Sequence, residues 1–162
     1  MKRTKVVVLT LMAAMMLLLV GCGASKKGIF GDNDFRNVKW GVDADAVRDS
    51  EEDDPFLDTD PIIHYDDQTF EGYDAVISYN FFDGALRKGG VMITADDEEE
   101  AQKIYDELNT VLEKGYGKSV GSVGKIISYK NDTTIVEIHV SGSRVDLQFT
   151  DASTSVRASK EN

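Results

Sequence analysis

The strongest constraint on the fold is a strict alternation of apolar and polar residues near the end of the chain. Apolar residues occupy every second position of 136–140 and of 145–149, and Ser141-Gly142 between the two runs favours a turn. A period of two places these apolar side chains on one face of a β-hairpin. The opposite face then carries Glu137, His139, Arg144, Asp146 and Gln148. One packed face and one wet face are typical of an antiparallel sheet.

A second stretch, residues 74–94, has the same character. Residues 74–82 alternate, Asp83-Gly84 is a two-residue hairpin signal, and residues 85–94 form the return strand. The alternation changes phase inside the return strand, so Gly89-Gly90 at that point predicts a β-bulge. Residues 61–70 predict a weaker strand at an edge of the sheet.

Two helices are predicted, one before the strands of 61–94 and one after them. Asp43 is a good N-cap for a short helix that ends near Asp53-Asp54-Pro55. Asp96 with Glu99 predicts a capping box for a longer helix, which Gly115 or Gly117 ends. The longer helix has a single apolar stripe, formed by Ala101, Ile104, Tyr105, Leu108, Val111 and Leu112.

One further strand is predicted at 125–130, and the strands of the hairpin described first extend over 133–140 and 143–150. The element order is then α-βββ-α-βββ, a pattern that indicates an internal tandem repeat. We expect an α+β two-layer sandwich, in which an antiparallel sheet carries two helices on one face.

The N-terminal segment has the features of a secretory signal peptide. Lys2, Arg3 and Lys5 precede an uncharged apolar run at 6–20, which is shorter than the roughly 20 residues that span a bilayer as a helix. Leu19-Val20-Gly21-Cys22 closes the run and resembles the lipobox of bacterial lipoproteins.

The lipobox resemblance implies a lipid anchor. It implies diacylglyceryl transfer to the Cys22 sulfur, cleavage between Gly21 and Cys22, and acyl chains of the palmitate type. The expected location is the extracytoplasmic face of the cell membrane. Cys22 is the only cysteine, so no intrachain disulfide is expected.

Composition divides the chain into four parts. Residues 1–21 are the predicted signal peptide, and the Gly-rich, polar residues 22–33 are a lipidated flexible tether. Residues 34–151 form a single domain, and 152–162 are predicted to be a disordered tail because they lack periodicity.

A second resemblance covers the start of the domain. The stretch from Phe35 to Val42, FRNVKWGV, followed by a capped helix, is similar to the F-x-x-x-x-W-G-M-S start of small Gram-positive lipoprotein domains of unknown function. Val42 and Asp43 replace the Met and Ser of that pattern. The layout also resembles β-lactamase-inhibitor-like and outer-membrane-assembly lipoprotein families. Both resemblances imply binding or scaffolding roles and bring no catalytic residues.

Charge restricts the classes of partner. The formal net charge is −11, and because residues 1–21 contribute +3, the remainder carries −14. That charge disfavours nucleic acid and adhesion to anionic lipid. It fits solubility and spacing from a negatively charged envelope, or alternatively a cationic partner or divalent metal.

No catalytic residues, metal ligands or cofactor are predicted. His64 and His139 fall on different strands and are interpreted as solvent-facing rather than as a metal pair. The acid-rich segment 43–60 lacks the glycine and closing glutamate of an EF-hand loop. Tyr73, Phe82 and His139 are the candidate ligand surface.

The leading hypothesis is a membrane-anchored, monomeric, noncatalytic module that binds an envelope protein or a cell-wall component. Two alternatives remain open. One is a cell-wall hydrolase that uses paired carboxylates. The other is a module that binds or folds with Ca²⁺ through residues 43–60.

Overall fold

The computed structural model describes residues 27–154. The predicted signal peptide, its cleavage site at Gly21 and the lipidation site Cys22 lie outside the described residues. The described chain is an eight-stranded antiparallel sheet combined with helices, so the predicted α+β class is confirmed.

Ten elements make up this domain. In chain order they are α1 (Ala44–Arg48), β1 (Leu57–Thr59), β2 (Ile62–Phe70), β3 (Tyr73–Phe82), β4 (Ala85–Thr94), α2 (Glu98–Tyr116), β5 (Gly121–Val123), β6 (Ile126–Lys130), β7 (Thr134–Ser141) and β8 (Arg144–Asp151). The sheet order is β1-β2-β3-β4-β8-β7-β6-β5.

Each half of the sheet has four strands, one more than predicted. The additional strands, β1 and β5, are the two edges, and all three residues of each are exposed. Such short, exposed strands show no alternation, which is why the sequence does not reveal them. The predicted edge strand β2 lies inside the sheet, between β1 and β3.

The two long hairpins form where the alternation predicts them. Asp83 and Gly84 both have positive φ, 53° and 73°, as a tight hairpin turn requires. The second turn is displaced by one residue, since Ser141 pairs with Arg144 and leaves Gly142-Ser143 as the turn.

The bulge predicted at Gly89-Gly90 is in the wrong place. The register between β3 and β4 shifts where Asn80 pairs with Lys88 and Phe81 with Leu86, so the additional residue is Arg87. The backbone of Leu86 also pairs with the segment before α1: the Leu86 N–H donates to Val42 O, and the Leu86 C=O accepts from Gly41 N.

The helix caps are also close to prediction. Asp43 accepts a hydrogen bond from Ala46 N as expected, although α1 ends at Arg48 rather than near residue 54. The N-cap of α2 is Asp97 rather than Asp96, because Asp97 Oδ1 accepts from Glu100 N at 2.8 Å. Gly117, at φ 94°, ends α2.

The core is continuous across one face of the sheet. By register, Ile77, Val91, Leu147 and Ile138 form a buried row across four neighbouring strands. A second row contains Tyr79, Gly89, Phe149, Val136 and Tyr129. Five of the six residues of the predicted apolar stripe of α2 are buried in this core, whereas Val111 is only half-buried and Tyr116 joins the core in its place.

Phe35 is the centre of an aromatic cluster and is fully buried. Its ring lies 5.2 Å from Tyr79 and 5.1 Å from Phe149, and it stacks against Trp40 at 6.3 Å. Trp40 Nε1 also donates to Thr134 Oγ1. The F-x-x-x-x-W spacing therefore serves packing: both rings meet on the buried face of the sheet.

The packed domain extends beyond residues 34–151 at both ends. Ile29 and Phe30 pack against the core, so the predicted tether of 22–33 reaches too far into the chain. Ala152 is buried and its N–H donates to Thr133 O, and residues 152–154 form a helical turn where the sequence predicts a tail. Within residues 27–154, no helix has the length and apolar character needed to span a membrane.

Candidate functional site

The face of the sheet opposite the core carries a broad cleft. Its register places Ser78, Gly90, Gln148 and Glu137 in one cross-strand row. The next row contains Val76, Met92, Asp146, His139 and Ile126. These residues line a cleft of about 660 Å³ that is open to solvent.

Exposed apolar side chains flank this cleft, which we call the sheet cleft. Phe56 and Phe82 are each 55% exposed on the β1–β3 side. The Phe56 ring lies 5.7 Å from that of His64, and Lys88 Nζ lies 6.0 Å from the centre of the Phe82 ring. Together with Ile126 on the far side, these rings give the cleft apolar margins around a floor of mixed polar and apolar side chains.

Charge distinguishes the sheet cleft from the rest of the domain. Between residues 27 and 154 the sequence has 28 acids and 12 bases, a formal net charge of −16. Of the Lys, Arg, Asp and Glu residues of the domain, three line the cleft: Lys88, Glu137 and Asp146. Asp146 accepts a hydrogen bond from Arg144 Nε at 2.8 Å. Most acids of the domain therefore lie outside the cleft. This nearly neutral surface suits a partner surface of mixed apolar and polar character.

The candidate ligand residues separate into two groups. Phe82 and His139 both line the sheet cleft. Tyr73 does not: it is half-buried, packs against the core and donates a hydrogen bond to the Glu107 carboxylate on α2. That hydrogen bond raises the pKa of the Tyr73 phenol.

The two histidines line opposite sides of the cleft. His64 lies on β2 and His139 on β7, with β3, β4 and β8 between them. At a strand spacing of about 4.8 Å, their backbones are separated by roughly 19 Å along the sheet. They cannot bind one metal ion together, and no group of three His, Cys, Asp or Glu side chains within residues 27–154 is arranged as a metal site.

The acid-rich segment 43–60 is engaged in local contacts. Asp43 caps α1, and Arg48 binds both Asp45 at 2.6 Å and Asp58 at 2.8 Å. The hydrogen bond from Arg48 lowers the pKa of the Asp58 carboxyl. These contacts attach α1 to the β1 edge of the sheet.

A buried polar network lies on the core face, remote from the cleft. The Glu51 side chain is only 3% exposed and accepts hydrogen bonds from Arg36 Nε at 2.9 Å and Nη2 at 2.7 Å. Tyr79 Oη donates to the same carboxylate, and Arg36 Nη2 also donates to Gln68 Oε1. Burial raises the pKa of Tyr79, which keeps this phenol a donor. We interpret the network as structural, because its charged and polar side chains bind one another.

The sequence contains a signal for only part of the cleft. Lys88 and Met92 lie on the open face once the phase of β4 is known, and Glu137, Asp146 and Gln148 are placed there by alternation alone. Phe56 has no such signal, since it precedes β1 in a loop without periodicity. Comparison of the chain with protein-family models, curated proteins and solved structures found no match.

Proposed function

We propose that this protein is an extracytoplasmic lipoprotein, anchored through Cys22, whose sheet cleft binds an envelope protein or a cell-wall component without catalysis. The observation that carries the binding proposal is the sheet cleft itself: a nearly neutral concave surface with two exposed aromatic rings on a domain of net charge −16. Exposed aromatic side chains on a surface poor in charge are characteristic of interaction sites.

The proposal includes a tandem origin for the scaffold. The order β1-β2-β3-β4 followed by β8-β7-β6-β5 has the symmetry of two equivalent four-stranded units joined at β4 and β8. We propose that each unit contributes one helix to the same face of the sheet. Buried Val47 of α1 and the buried side chains of α2 belong to one core cluster, which supports this arrangement.

The anchor is tested by expressing the full chain in bacteria supplied with a clickable palmitate analogue. We expect label on the wild-type protein and none on Cys22→Ala, with a matching loss of membrane association. Label retained by Cys22→Ala would overturn the proposed lipidation.

The binding surface is tested by site-specific photocrosslinking in the native envelope. A photoreactive residue at Phe82, inside the cleft, is compared with one at Gln102, an exposed position on α2. We expect a discrete adduct from position 82 alone, lost on addition of Met92→Arg. Equal crosslinking from both positions, or none from position 82, would contradict a partner in the cleft.

One observation favours the hydrolase alternative. Glu137 and Asp146 are diagonal neighbours on β7 and β8 and both line the cleft, so two carboxylates share one concave surface. The ion pair of Asp146 with Arg144 and the exposure of Glu137 argue against it, because a general acid needs a protonated, desolvated carboxyl. Turnover of cell-wall fragments that is abolished by Glu137→Gln would establish the hydrolase and overturn the binding proposal.

The Ca²⁺ alternative is tested by thermal unfolding. Since Asp43, Asp45 and Asp58 already have partners in this domain, we expect the same melting temperature in calcium and in chelator. A rise of several degrees in calcium that is absent from Asp58→Asn would favour a Ca²⁺ role.

A further inference from the structure

The β5 edge differs from the rest of the domain in its charge. Between residues 114 and 131 the sequence has four lysines, Lys114, Lys118, Lys125 and Lys130, and no acid. Residues 118–126 are all exposed, so the end of this segment projects from the sheet as a short hairpin. Lys118, Lys125 and Lys130 alone give this edge a local charge of +3 on a domain of −16.

The same edge is apolar between its lysines. Val120 is 65% exposed, Val123 78% and Ile126 37%. Among the strands of residues 27–154, none pairs with the outer side of β5. We call this surface, Lys118–Lys130 with its valines, the basic edge.

The opposite edge is built differently. Asp58 lies on β1 and Asp60 follows the strand directly. Arg48 donates two hydrogen bonds to the Asp58 carboxylate and covers it. Charges and a covering side chain are the usual means of protecting a sheet edge. The basic edge carries no charge between Lys118 and Lys125.

The described chain enters the domain beside the basic edge. A Cβ on Gly28 would lie 2.8 Å from Tyr116 Oη, and one on Gly115 would lie 2.6 Å from Ile29 Cγ2, so residues 28–29 lie against the end of α2. Gly117 and Lys118 follow immediately in the chain. Six peptide units separate Cys22 from Gly28, and they extend at most about 20 Å. An anchor at Cys22 therefore holds this end of the domain near the bilayer.

We infer that the basic edge docks on the anionic lipid surface to which the protein is attached, with lysine ammonium groups on lipid phosphates and Val120 and Val123 at the headgroup boundary. This inference rests on the proposed anchor at Cys22. The net charge disfavours adhesion of the domain surface as a whole, but this edge is locally basic, and surface charges more than about 8 Å from the headgroups are largely screened at physiological salt. Three acids lie near the chain entry: Asp32 is bound by Lys27, Asp34 accepts from Trp40 N, and Asp132 follows the basic edge two residues after Lys130.

Hydrogen–deuterium exchange of residues 22–162, which contain the whole core, tests the inference. The Cys22 thiol is coupled to a maleimide lipid in vesicles of phosphatidylcholine, alone or with about 30% phosphatidylglycerol. We expect slower exchange of the amides of 119–126 on the anionic vesicles only, and unchanged exchange at 57–60 on the β1 edge. Because an exposed lysine contributes about fivefold to occupancy of an anionic surface, Lys118→Gln with Lys125→Gln should abolish the slowing.

Two results would overturn the inference. One is equal exchange at 119–126 on both kinds of vesicle. The other is slowing that increases with protein concentration in the absence of lipid, which would assign the edge to pairing with a second copy. The chemical tether makes the outcome independent of lipidation in cells, so failure of docking and failure of the palmitate experiment are separate results.

Discussion

Replacing Gly89 by alanine should show how tightly the core face of the sheet is packed. The backbone of Gly89 does not have a positive φ, so alanine meets no backbone strain there. A Cβ at Gly89 would, however, lie 2.4 Å from two carbons of the Phe35 ring. That ring is fully buried between Trp40, Tyr79 and Phe149 and cannot move aside without displacing them.

The expected loss follows from two opposing effects. Inserting a methyl group into a well-packed core costs about 1–3 kcal/mol, and a rigid ring places Gly89→Ala near the upper limit. Loss of glycine freedom in the unfolded chain offsets about 0.4–1 kcal/mol of this cost. We therefore expect Gly89→Ala to lower the free energy of unfolding by about 2 kcal/mol.

Two other glycines provide matched controls. A Cβ on Gly121 would meet no atom within 4 Å, and the φ of Gly121 is not positive, so Gly121→Ala should be neutral or stabilising by up to about 1 kcal/mol. A Cβ on Gly90 would contact only Ser78, chiefly its hydroxyl, which can rotate, so Gly90→Ala should fall between the two. Urea titration followed by circular dichroism measures all three variants. Equal stabilities for Gly89→Ala and Gly121→Ala, within about 0.5 kcal/mol, would refute this account of the packing.

Two further predictions concern buried charge. Glu51→Gln should destabilise the domain by about 3–5 kcal/mol, because it leaves the Arg36 guanidinium without its anionic partner. The control Glu52→Gln, at an exposed position, should cost less than about 0.5 kcal/mol. Equal urea midpoints for the two variants would contradict this prediction. Desolvation opposes ionisation of Asp151, but hydrogen bonds from Ser153 N and Arg87 outweigh this effect and lower the pKa of the carboxyl. The ionised carboxylate therefore stabilises the fold above about pH 4, and this stabilisation is lost as the pH falls below that value. Asp151→Asn should therefore flatten the pH dependence of the melting temperature below about pH 4. The same slope of melting temperature against pH in the variant and the wild type would contradict this prediction.

Sequence periodicity predicted the parts of the fold in which each residue has a clear inside or outside. It located the long hairpins and α2 within a residue or two, because burial on one face imposes a period of 2 or 3.6. It failed at β1 and β5, where all residues are exposed and no period is imposed.

The misplaced bulge has a related cause. Gly89 and Gly90 look like a bulge because small residues interrupt the alternation, yet they are small because Phe35 and Ser78 lie against them. Phe35 and Gly89 are more than 50 positions apart in the sequence, so the contact between them leaves no local pattern. For the cleft, alternation placed His139 and its neighbours on the open face, but it could not bring Phe56 to the margin or move Tyr73 to the helix side.

The strand order has a consequence for how the chain folds. Of the seven strand pairings within residues 27–154, six join consecutive strands, whose contacts close short loops. The seventh of these pairings joins β4 and β8 across a long separation, with Lys88 opposite Thr150 and Thr94 opposite Arg144. Loop-closure entropy is therefore concentrated in this one seam, and each four-stranded meander can form from local contacts before the two join. We therefore expect the β4–β8 pairing to form in the transition state of folding. Variants in this pairing should slow refolding, whereas variants in β1 or β5 should mainly change the unfolding rate.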